Sequence, residues 1–415
     1  MRSTAAEGAR PDDARRHNRE AVLRRLHVGG ECTRAVLTAE LGLNRSTIKA
    51  VVDGLAESGW LSERLPARRS GVGRPSRVVV ARPEAAVVLA VDVRASRVSL
   101  ALVGLGDKKL GRDSWPLRAG AGAPGEVVTQ VKDRAQVLEN ELGVRAVAAG
   151  VSVPGVVRQA DGLVRKAPHL DWTDVALGKQ LTDALRMPVA VASDGELGAL
   201  AEHTRGVARG ESNAVFVACD VGVGCGVISG GAVLRGLGEF GHMMVRPDGR
   251  DCHCGSRGCW ETEVCEAALL RALGLPAGTS QGELIVELRK LAADPPAALA
   301  RFEEFAGWLT IGLVNVVTML APELVVLGNL LAALPKPVLD VVAAQVRERS
   351  MVSRAVGHTR VVASELGAEA QLVGAAELAF GPVLLDAAAG AVAAYSRCRA
   401  STRVRATNLL LRGGR

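Results

Sequence analysis

The sequence predicts an α/β protein with mixed sheets covered on both faces, preceded by a small helical head. Three observations predict it. From about residue 86, short Val- and Ala-rich runs alternate with longer amphipathic stretches, the pattern of strands followed by helices. Ahead of that point, three short helical stretches are separated by glycine-containing turns. At 415 residues, with 48% hydrophobic side chains, the chain is long enough for two or three packed units. No short-period repeat is present, which argues against a solenoid.

The head comes first. Residues 17–28 (HNREAVLRRLHV) space Val22, Leu23 and Leu26 along one face of a short helix. Thr33 is the N-cap of a second helix that runs to Leu41, where Gly42 breaks it. Asn44 opens a third helix, in which Ile48, Val51, Val52 and Leu55 recur at helical spacing. Two helices joined by a short Gly-containing turn form the helix-turn-helix pattern. The third helix offers Arg45, Ser46, Thr47 and Lys49 near its start. Those positions meet base edges and phosphates when a recognition helix enters the major groove.

After Trp60, two short β-prone runs flank a loop with Arg68, Arg69, Gly71, Gly73 and Arg74. A wing lying against the DNA backbone or minor groove needs that composition: glycines for close approach, arginines for phosphate. Charge points the same way. Residues 1–80 carry 15 Lys or Arg against 9 Asp or Glu, so most of the net charge of +7 lies in the first fifth of the chain. A solvated basic face or a generic three-helix bundle would share this composition. The wing chemistry directly after the third helix favours double-stranded operator DNA as the partner.

Beyond the head, strands are expected at 86–93, 98–104, 146–152, 188–192, 214–219, 224–229 and 323–328. Helices are expected near 174–186, 196–207, 262–273, 281–292, 297–320, 337–348 and 371–380. The chain therefore divides into a disordered lead-in (1–15), a winged helix-turn-helix head (16–82), a large α/β domain (83–382) and an Arg-rich C-terminal tail (383–415). No run reaches the roughly 18 apolar residues of a membrane span. The N-terminus lacks the apolar core of a signal peptide. The expected setting is the cytoplasm, with no membrane partner.

Cysteine usage is the sharpest chemical signal. Cys252, Cys254 and Cys259 fall within eight residues, and His242 lies just upstream. Thiolate and imidazole are the ligands zinc prefers, and four of them close a tetrahedral structural site. His253 is an alternative fourth ligand and Cys265 a weaker one. Reduced core thiols are the plainer account, but glycines and charges surround this cluster and no apolar run does. Cys32, Cys219, Cys225 and Cys398 are scattered. Eight cysteines without a secretory signal fit a reducing compartment better than a disulfide framework. Glu239 and Glu261 flank the cluster, so a metal would fix two carboxylates as a grip for a polyol.

From residue 17 to about 380 the chain resembles the ROK family (repressors, open reading frames, kinases), in its DNA-binding repressor branch. The resemblance rests on colinear motifs: GVSVPGVV (150–157), ASDGELGALAE (192–202), DVGVGCGVISGGAVLRG (220–236), GEFGH (238–242) and CHCGSRGCWE (252–261). GVGRPS at the end of the head matches the family's repressors. The resemblance implies a two-lobed, actin-like domain of the sugar kinase and hexokinase type, with sugar and nucleotide between the lobes. It implies that Asp194 stands where family kinases keep the carboxylate that takes a proton from the sugar hydroxyl. It further implies that Glu239, His242 and Glu261 contact sugar hydroxyls, with His242 also a zinc ligand. Asp194 would equally suit a helix N-terminus as a dipole-stabilised carboxylate.

Departures from the family pattern fall on the phosphate side. Where kinases carry Asp-x-Gly-Gly-Thr, this chain reads Asp92-Val93-Arg94-Ala95-Ser96. Arg94 could attract phosphate as a charge, but it would fill the loop's space. The second loop reads Asp220-Val221-Gly222, a carboxylate that repels ATP, and the adenine-side Gly-Gly reads Gly328-Asn329. Taken as three independent losses, these predict no kinase activity. On the sugar side, Ser193 replaces the family's Asn and keeps a hydroxyl, while Pro168-His169-Leu170-Asp171-Trp172 replaces Pro-Asn-Leu-Gly-Trp. The expectation is a ROK transcriptional repressor, a homodimer or dimer of dimers, whose degenerate kinase domain senses a sugar or sugar derivative. The alternative is an ATP-dependent sugar kinase with an attached DNA-binding head.

Overall fold

Capping residues set the first three helices. In the computed structural model, which describes residues 11–65, 76–117, 123–236, 239–355, 357 and 359–388, α1 spans Pro11–Gly29. It starts six residues before the expected 17, so residues 11–15 of the expected lead-in are helical. Pro11 at the first helical position and Asp12 and Asp13 in the first turn favour that earlier start. A two-residue strand β1 (Cys32–Thr33) follows. Thr33 then caps α2 (Arg34–Leu41), with its side chain accepting from the Val36 N–H. Gly42 closes α2 at φ 64, and Asn44 caps α3 (Arg45–Glu57) by accepting from the Thr47 N–H. β2 (Leu61–Arg64) and β3 (Val78–Ala81) pair antiparallel, and β1 joins the other edge of β3.

Two five-stranded sheets follow, and they share one topology. The first is built from β4 (Val87–Val93), β5 (Arg97–Gly104) and β6 (Lys108–Pro116), then, after α4 (Pro124–Leu142), β7 (Ala148–Val153). A small three-stranded sheet of β8 (Val156–Arg158), β9 (Leu163–Ala167) and β10 (Trp172–Val175) intervenes, followed by α5 (Leu177–Leu185) and β11 (Val189–Ser193). The order is β11-β7-β4-β5-β6, with an antiparallel meander on one side and parallel strands on the other. α6 (Asp194–Thr204) crosses to the second sheet.

That sheet repeats the plan with β12 (Ala214–Cys219), β13 (Val223–Ser229) and β14 (Ala232–Leu234) as the meander. Helices α7 (Trp260–Val264), α8 (Glu266–Leu273), α9 (Gln281–Leu291), α10 (Pro295–Arg301) and α11 (Glu303–Leu320) lead to β15 (Leu324–Asn329). After α12 (Lys336–Arg349) and α13 (Met351–Ala355) comes β16 (Arg360–Ala363). The order is β14-β13-β12-β15-β16, with β15 and β16 parallel to β12. The turns β4–β5 and β12–β13 are therefore equivalent positions in two copies of one plan.

α14 (Ala370–Ala388) returns to the first sheet. It runs past the expected end at 380, and past the expected domain limit at 382, through Pro382. Val383, Leu384, Ala387 and Ala388 are buried there, which outweighs the proline break. Gly367–Ala388 is the one segment among the described residues long and apolar enough to cross a membrane. Here it is a core helix, apolar on several faces because elements pack on several faces. Close contact is possible because of glycine: a Cβ on Gly374 would stand 2.0 Å from Leu197 O of α6, and one on Gly150 would stand 1.9 Å from Ala375 O.

Other differences have local causes. The expected helix 297–320 is broken at Phe302 into α10 and α11, and 262–273 is broken at Cys265, whose ψ of 178 is extended. Residues 174 and 175 belong to β10, so α5 begins three residues later than expected. α4 and the strands β6, β8, β9, β10, β14 and β16 were not expected. The head and the first sheet share one hydrophobic cluster, in which Val22, Leu23 and Leu26 join Ala375, Ala379 and Phe380.

Candidate functional site

The cleft between the sheets receives both equivalent turns, the N-terminus of α6, the loop 239–242 and the start of α7. The free space is about 50 Å³, room for roughly three or four waters. Arg94, from the β4–β5 turn, takes up much of the rest. Its Nε donates to Asp92 Oδ2 at 2.6 Å and its Nη1 to Asp220 Oδ2 at 2.7 Å. Its Nη2 donates to Ala368 O at 2.7 Å and Gln371 Oε1 at 3.1 Å. Burial works against the guanidinium charge, but Asp92 and Asp220 outweigh it and raise the Arg94 pKa above its ordinary value.

Asp220 comes from the β12–β13 turn of the other lobe. It also accepts from Gln281 Nε2, and from Asn329 Nδ2 at 3.3 Å. Asn329 holds φ 52 and ψ −125, outside the left-handed helical region that Asn tolerates and in one that favours glycine. The three sequence departures are thus not independent. Arg94, Asp220 and Asn329 form a single network, because a buried guanidinium needs acidic partners and the equivalent turns bring one opposite it. Gln371 and Gln281, which complete the network, carried no sequence signal.

The sugar-side residues gather in the same cleft. Asp194 is the first residue of α6, and its Oδ1 accepts from the Gly195 N–H at 2.8 Å. Burial pushes its pKa up to about 7, with Asp92 and Asp220 adding to the effect and Gly195 and Arg94 opposing it. Glu239 is pushed up to about 8, first by burial and then by Asp194, Glu261 and Glu196. Glu261 behaves oppositely. Burial alone would raise it, but His169 Nε2 at 3.0 Å and the Val223 N–H at 3.0 Å hold it below the ordinary carboxylate range. Glycines make the room: a Cβ at Gly224 would lie 2.9 Å from Asp194 Oδ1, and one at Gly222 would lie 2.6 Å from Glu261 Oε2. Ser193 is placed differently from the expectation. Its Oγ caps α6 by accepting from the Glu196 N–H at 3.3 Å, and it is not among the residues lining the cleft.

Behind Glu261, His242, Cys252, Cys254 and Cys259 bring their ligand atoms within 4.8 Å of one another, an arrangement that could hold a metal ion. Cys252 Sγ lies 3.6 Å from His242 Nδ1, and Cys254 Sγ lies 3.7 Å from Cys259 Sγ. The alternative ligands fall outside this group. His253 packs its ring 5.0 Å from His169, and Cys265 sits at the α7–α8 junction.

In the head, Arg45, Ser46 and Lys49 are exposed at the start of α3, and Thr47 is half-buried. Ser46 Oγ and the Thr47 N–H both donate to Asn44 Oδ1, at 2.7 and 2.8 Å. Lys49 pairs with Asp53 at 2.7 Å. Arg68, Arg69 and Arg74 lie outside the described residues, between the paired strands β2 and β3.

Residues 88–381 match the ROK family. The chain is 26% identical over 366 residues to the xylose repressor of Bacillus subtilis (strain 168), spanning 86% of this chain and 93% of that protein. A crystallised ROK family transcriptional regulator, a homologue of the E. coli Mlc protein, superposes with a TM-score of 0.69 at 22% identity, over 91% of this chain and 96% of that one. At that identity the likeness concerns the fold. A ROK family glucokinase from Streptomyces griseus, crystallised with glucose and AMPPNP, superposes with a TM-score of 0.62 at 26% identity. It covers 71% of this chain and 99% of its own.

The raised carboxyls have a measurable consequence. Asp194 and Glu239 hold protons in the folded chain at pH values where the unfolded chain has released them. Folding stability therefore falls as pH rises from the ordinary carboxylate range to about pH 8, then levels off. Urea midpoints taken at about pH 5 and about pH 8 should decrease, and Asp194→Asn with Glu239→Gln should flatten the trend. A midpoint that rises across the window, or an unaltered trend in the double variant, would contradict the assignment.

Proposed function

The chain belongs to the ROK family, and from that premise we propose that it is a sequence-specific DNA-binding transcriptional repressor whose kinase-like domain senses a sugar without phosphorylating it. The observation that carries this is the Arg94–Asp220 bridge. It fills the phosphate side of a sugar-kinase fold to which a helical head with an antiparallel sheet is attached. Backbone approach to phosphate oxygens needs an open, side-chain-free turn, and both equivalent turns are committed to each other.

The head reads as a winged helix-turn-helix. α3 would be the recognition helix, with Arg45, Ser46, Thr47 and Lys49 at its leading end, and residues 66–75, with Arg68, Arg69 and Arg74, would supply the wing. The head would span 16–82 and the sensor 83–382. A two-fold operator asks for a homodimer or a dimer of dimers. In the sensor, Asp194, Glu239, His242 and Glu261 would take the hydroxyls of a sugar or sugar derivative. Ser193 would support them by holding the start of α6. The competing reading, a sugar kinase with a DNA-binding head, is favoured by Asp194, a carboxylate placed to accept a proton, and by the likeness to a ROK glucokinase.

The metal is zinc on this account. Four N and S ligands suit it, and an ion about 2.3 Å from its sulfurs implies ligand spacings of about 3.8 Å, close to the 3.6 and 3.7 Å found. Zinc there would be structural, fixing the loop that carries Glu239 and the start of α7 that carries Glu261.

Three measurements test these assignments. Purified protein should gain thermal stability from a sugar, amino sugar or sugar phosphate with no further gain from Mg-ATP; an Mg-ATP shift with phosphoryl transfer abolished by Asp194→Asn would establish the kinase instead. Binding to promoter DNA from its own genomic neighbourhood should exceed binding to unrelated DNA. Arg74→Ala should weaken both and reduce the slope of log K against log salt by about one. An unchanged slope would remove the wing from the interface. Metal analysis should find about one zinc per chain, lost on Cys254→Ser with Cys259→Ser. Full zinc content in that variant would reject the ligand set.

A further inference from the structure

Two helices run from the cleft to the head. α6 begins in the cleft at Asp194 and ends at Thr204, with Arg205 as its C-cap; its length is roughly 16 Å. α14 begins beside the cleft, where Gln371 accepts from Arg94, and carries Glu377 and Phe380 further along. The two belong to different lobes by packing. α6 lies on the second sheet, since a Cβ on Gly195 would meet Cys225 N at 2.5 Å and one on Gly198 would meet the Phe216 ring at 2.0 Å. α14 lies on the first, with Ala375 against Gly150. They touch each other backbone to backbone at Gly374 and Leu197. Relative motion of the lobes would change how α6 packs along α14.

Their far ends converge on the last turn of α1. Arg205 Nη1 donates to His27 O at 2.8 Å and Val28 O at 3.2 Å, carbonyls left without helical partners at a helix C-terminus. Arg205 Nε also donates to Glu377 Oε1 at 2.9 Å. His27 Nε2 lies 3.2 and 3.3 Å from the two Glu377 oxygens. His27 Nδ1 accepts from the Gly106 N–H at 2.9 Å, which places the ring proton on Nε2, facing Glu377. The ring packs 4.4 Å from Phe380. His27 is 1% exposed. A buried ionic cluster adds little net stability compared with apolar packing, but it fixes geometry through directional bonds.

We propose that the Arg205–Glu377–His27 cluster is the coupling element of this protein. It lets α1 read the sliding of α6 against α14, and so passes the state of the cleft to the head. Arg205 arrives from the lobe of Asp220, Glu377 from the lobe of Arg94, and α1 is held by both at once. A shift between the lobes changes the position of Arg205 relative to Glu377, and α1 must tilt or release one partner. The proposal rests on the head being the DNA-binding part, but the junction can be tested without DNA or sugar.

The experiment is hydrogen exchange on the full chain, read at the Gly106 amide and the last turn of α1. Arg94→Ala cuts the bridge between the lobes. It should speed exchange at both places about tenfold, although Arg94 touches neither. Arg205→Ala should speed them by itself, and adding Arg94→Ala to it should then produce no further change, since the link is already cut. If Arg94→Ala leaves the chain unfolded, Asp220→Ala cuts the same bridge while leaving Arg94's bond to Asp92 in place. Exchange that changes around the cleft but not at Gly106 and α1, or effects of the two substitutions that simply add, would overturn the coupling. Failure of the unsubstituted chain to bind DNA, with the expected exchange pattern, would overturn the role of the head and leave the coupling standing.

Discussion

Taking a charge out of water is costly unless partners replace its hydration, and one cleft of this protein gathers Asp92, Asp194, Asp220, Glu239 and Glu261. Arg94 answers Asp92 and Asp220, and His169 answers Glu261. Among the described residues Asp194 and Glu239 form no ion pair, and burial pushes both towards the protonated form. The cleft thereby splits into two chemically different halves. The paired half is closed, held by bonds that run from one lobe to the other. The unpaired half presents carboxyls that can donate as well as accept, next to an ionised Glu261 that only accepts. A mixture of donors and acceptors is what a ring of hydroxyls requires.

The duplicated sheet plan explains how the paired half arose at one point. Strand order β11-β7-β4-β5-β6 repeats as β16-β15-β12-β13-β14, and the first turn of each meander lines the same cleft. In a kinase built this way, both turns would have to stay bare for phosphate. Here one carries a cation and the other an anion, and their attraction replaces what a bound nucleotide and its metal would contribute between the lobes. The carboxylate of Asp220, which looks merely repulsive to ATP, is a partner once Arg94 is opposite it.

Much of this was legible in the sequence, and the failures have identifiable causes. Helix caps such as Thr33, Asn44 and Gly42 act locally, and α2 and α3 lie where those residues put them. The cysteine cluster is also local, and His242 joins it because only ten residues separate it from Cys252. Strands β4, β5, β12 and β15 announce themselves by burial on both faces. The edge strand β6 does not, because KKLGRDSWP is largely solvated and offers no apolar alternation. α4 did carry a signal, Pro124 at its start with Val127, Val131 and Ala135 at helical spacing, but its apolar residues are small and glycine-rich sequence precedes it. The Arg94 network could not be read, since its members come from positions 92, 94, 220, 281, 329 and 371. Nor could the role of Ser193, whose hydroxyl is drawn to the helix terminus next to it.

A resident cation also changes what the cleft can sense. A ligand shifts an equilibrium between conformations only as far as it prefers one of them. In an active kinase, lobe closure depends on two ligands. On the proposed reading Arg94 makes one of those contributions constant, and whatever fills the side lined by Asp194, Glu239 and Glu261 would set the position of the lobes. A shift between the lobes would then reach the end of α1, which Arg205 at the end of α6 and Glu377 of α14 both hold.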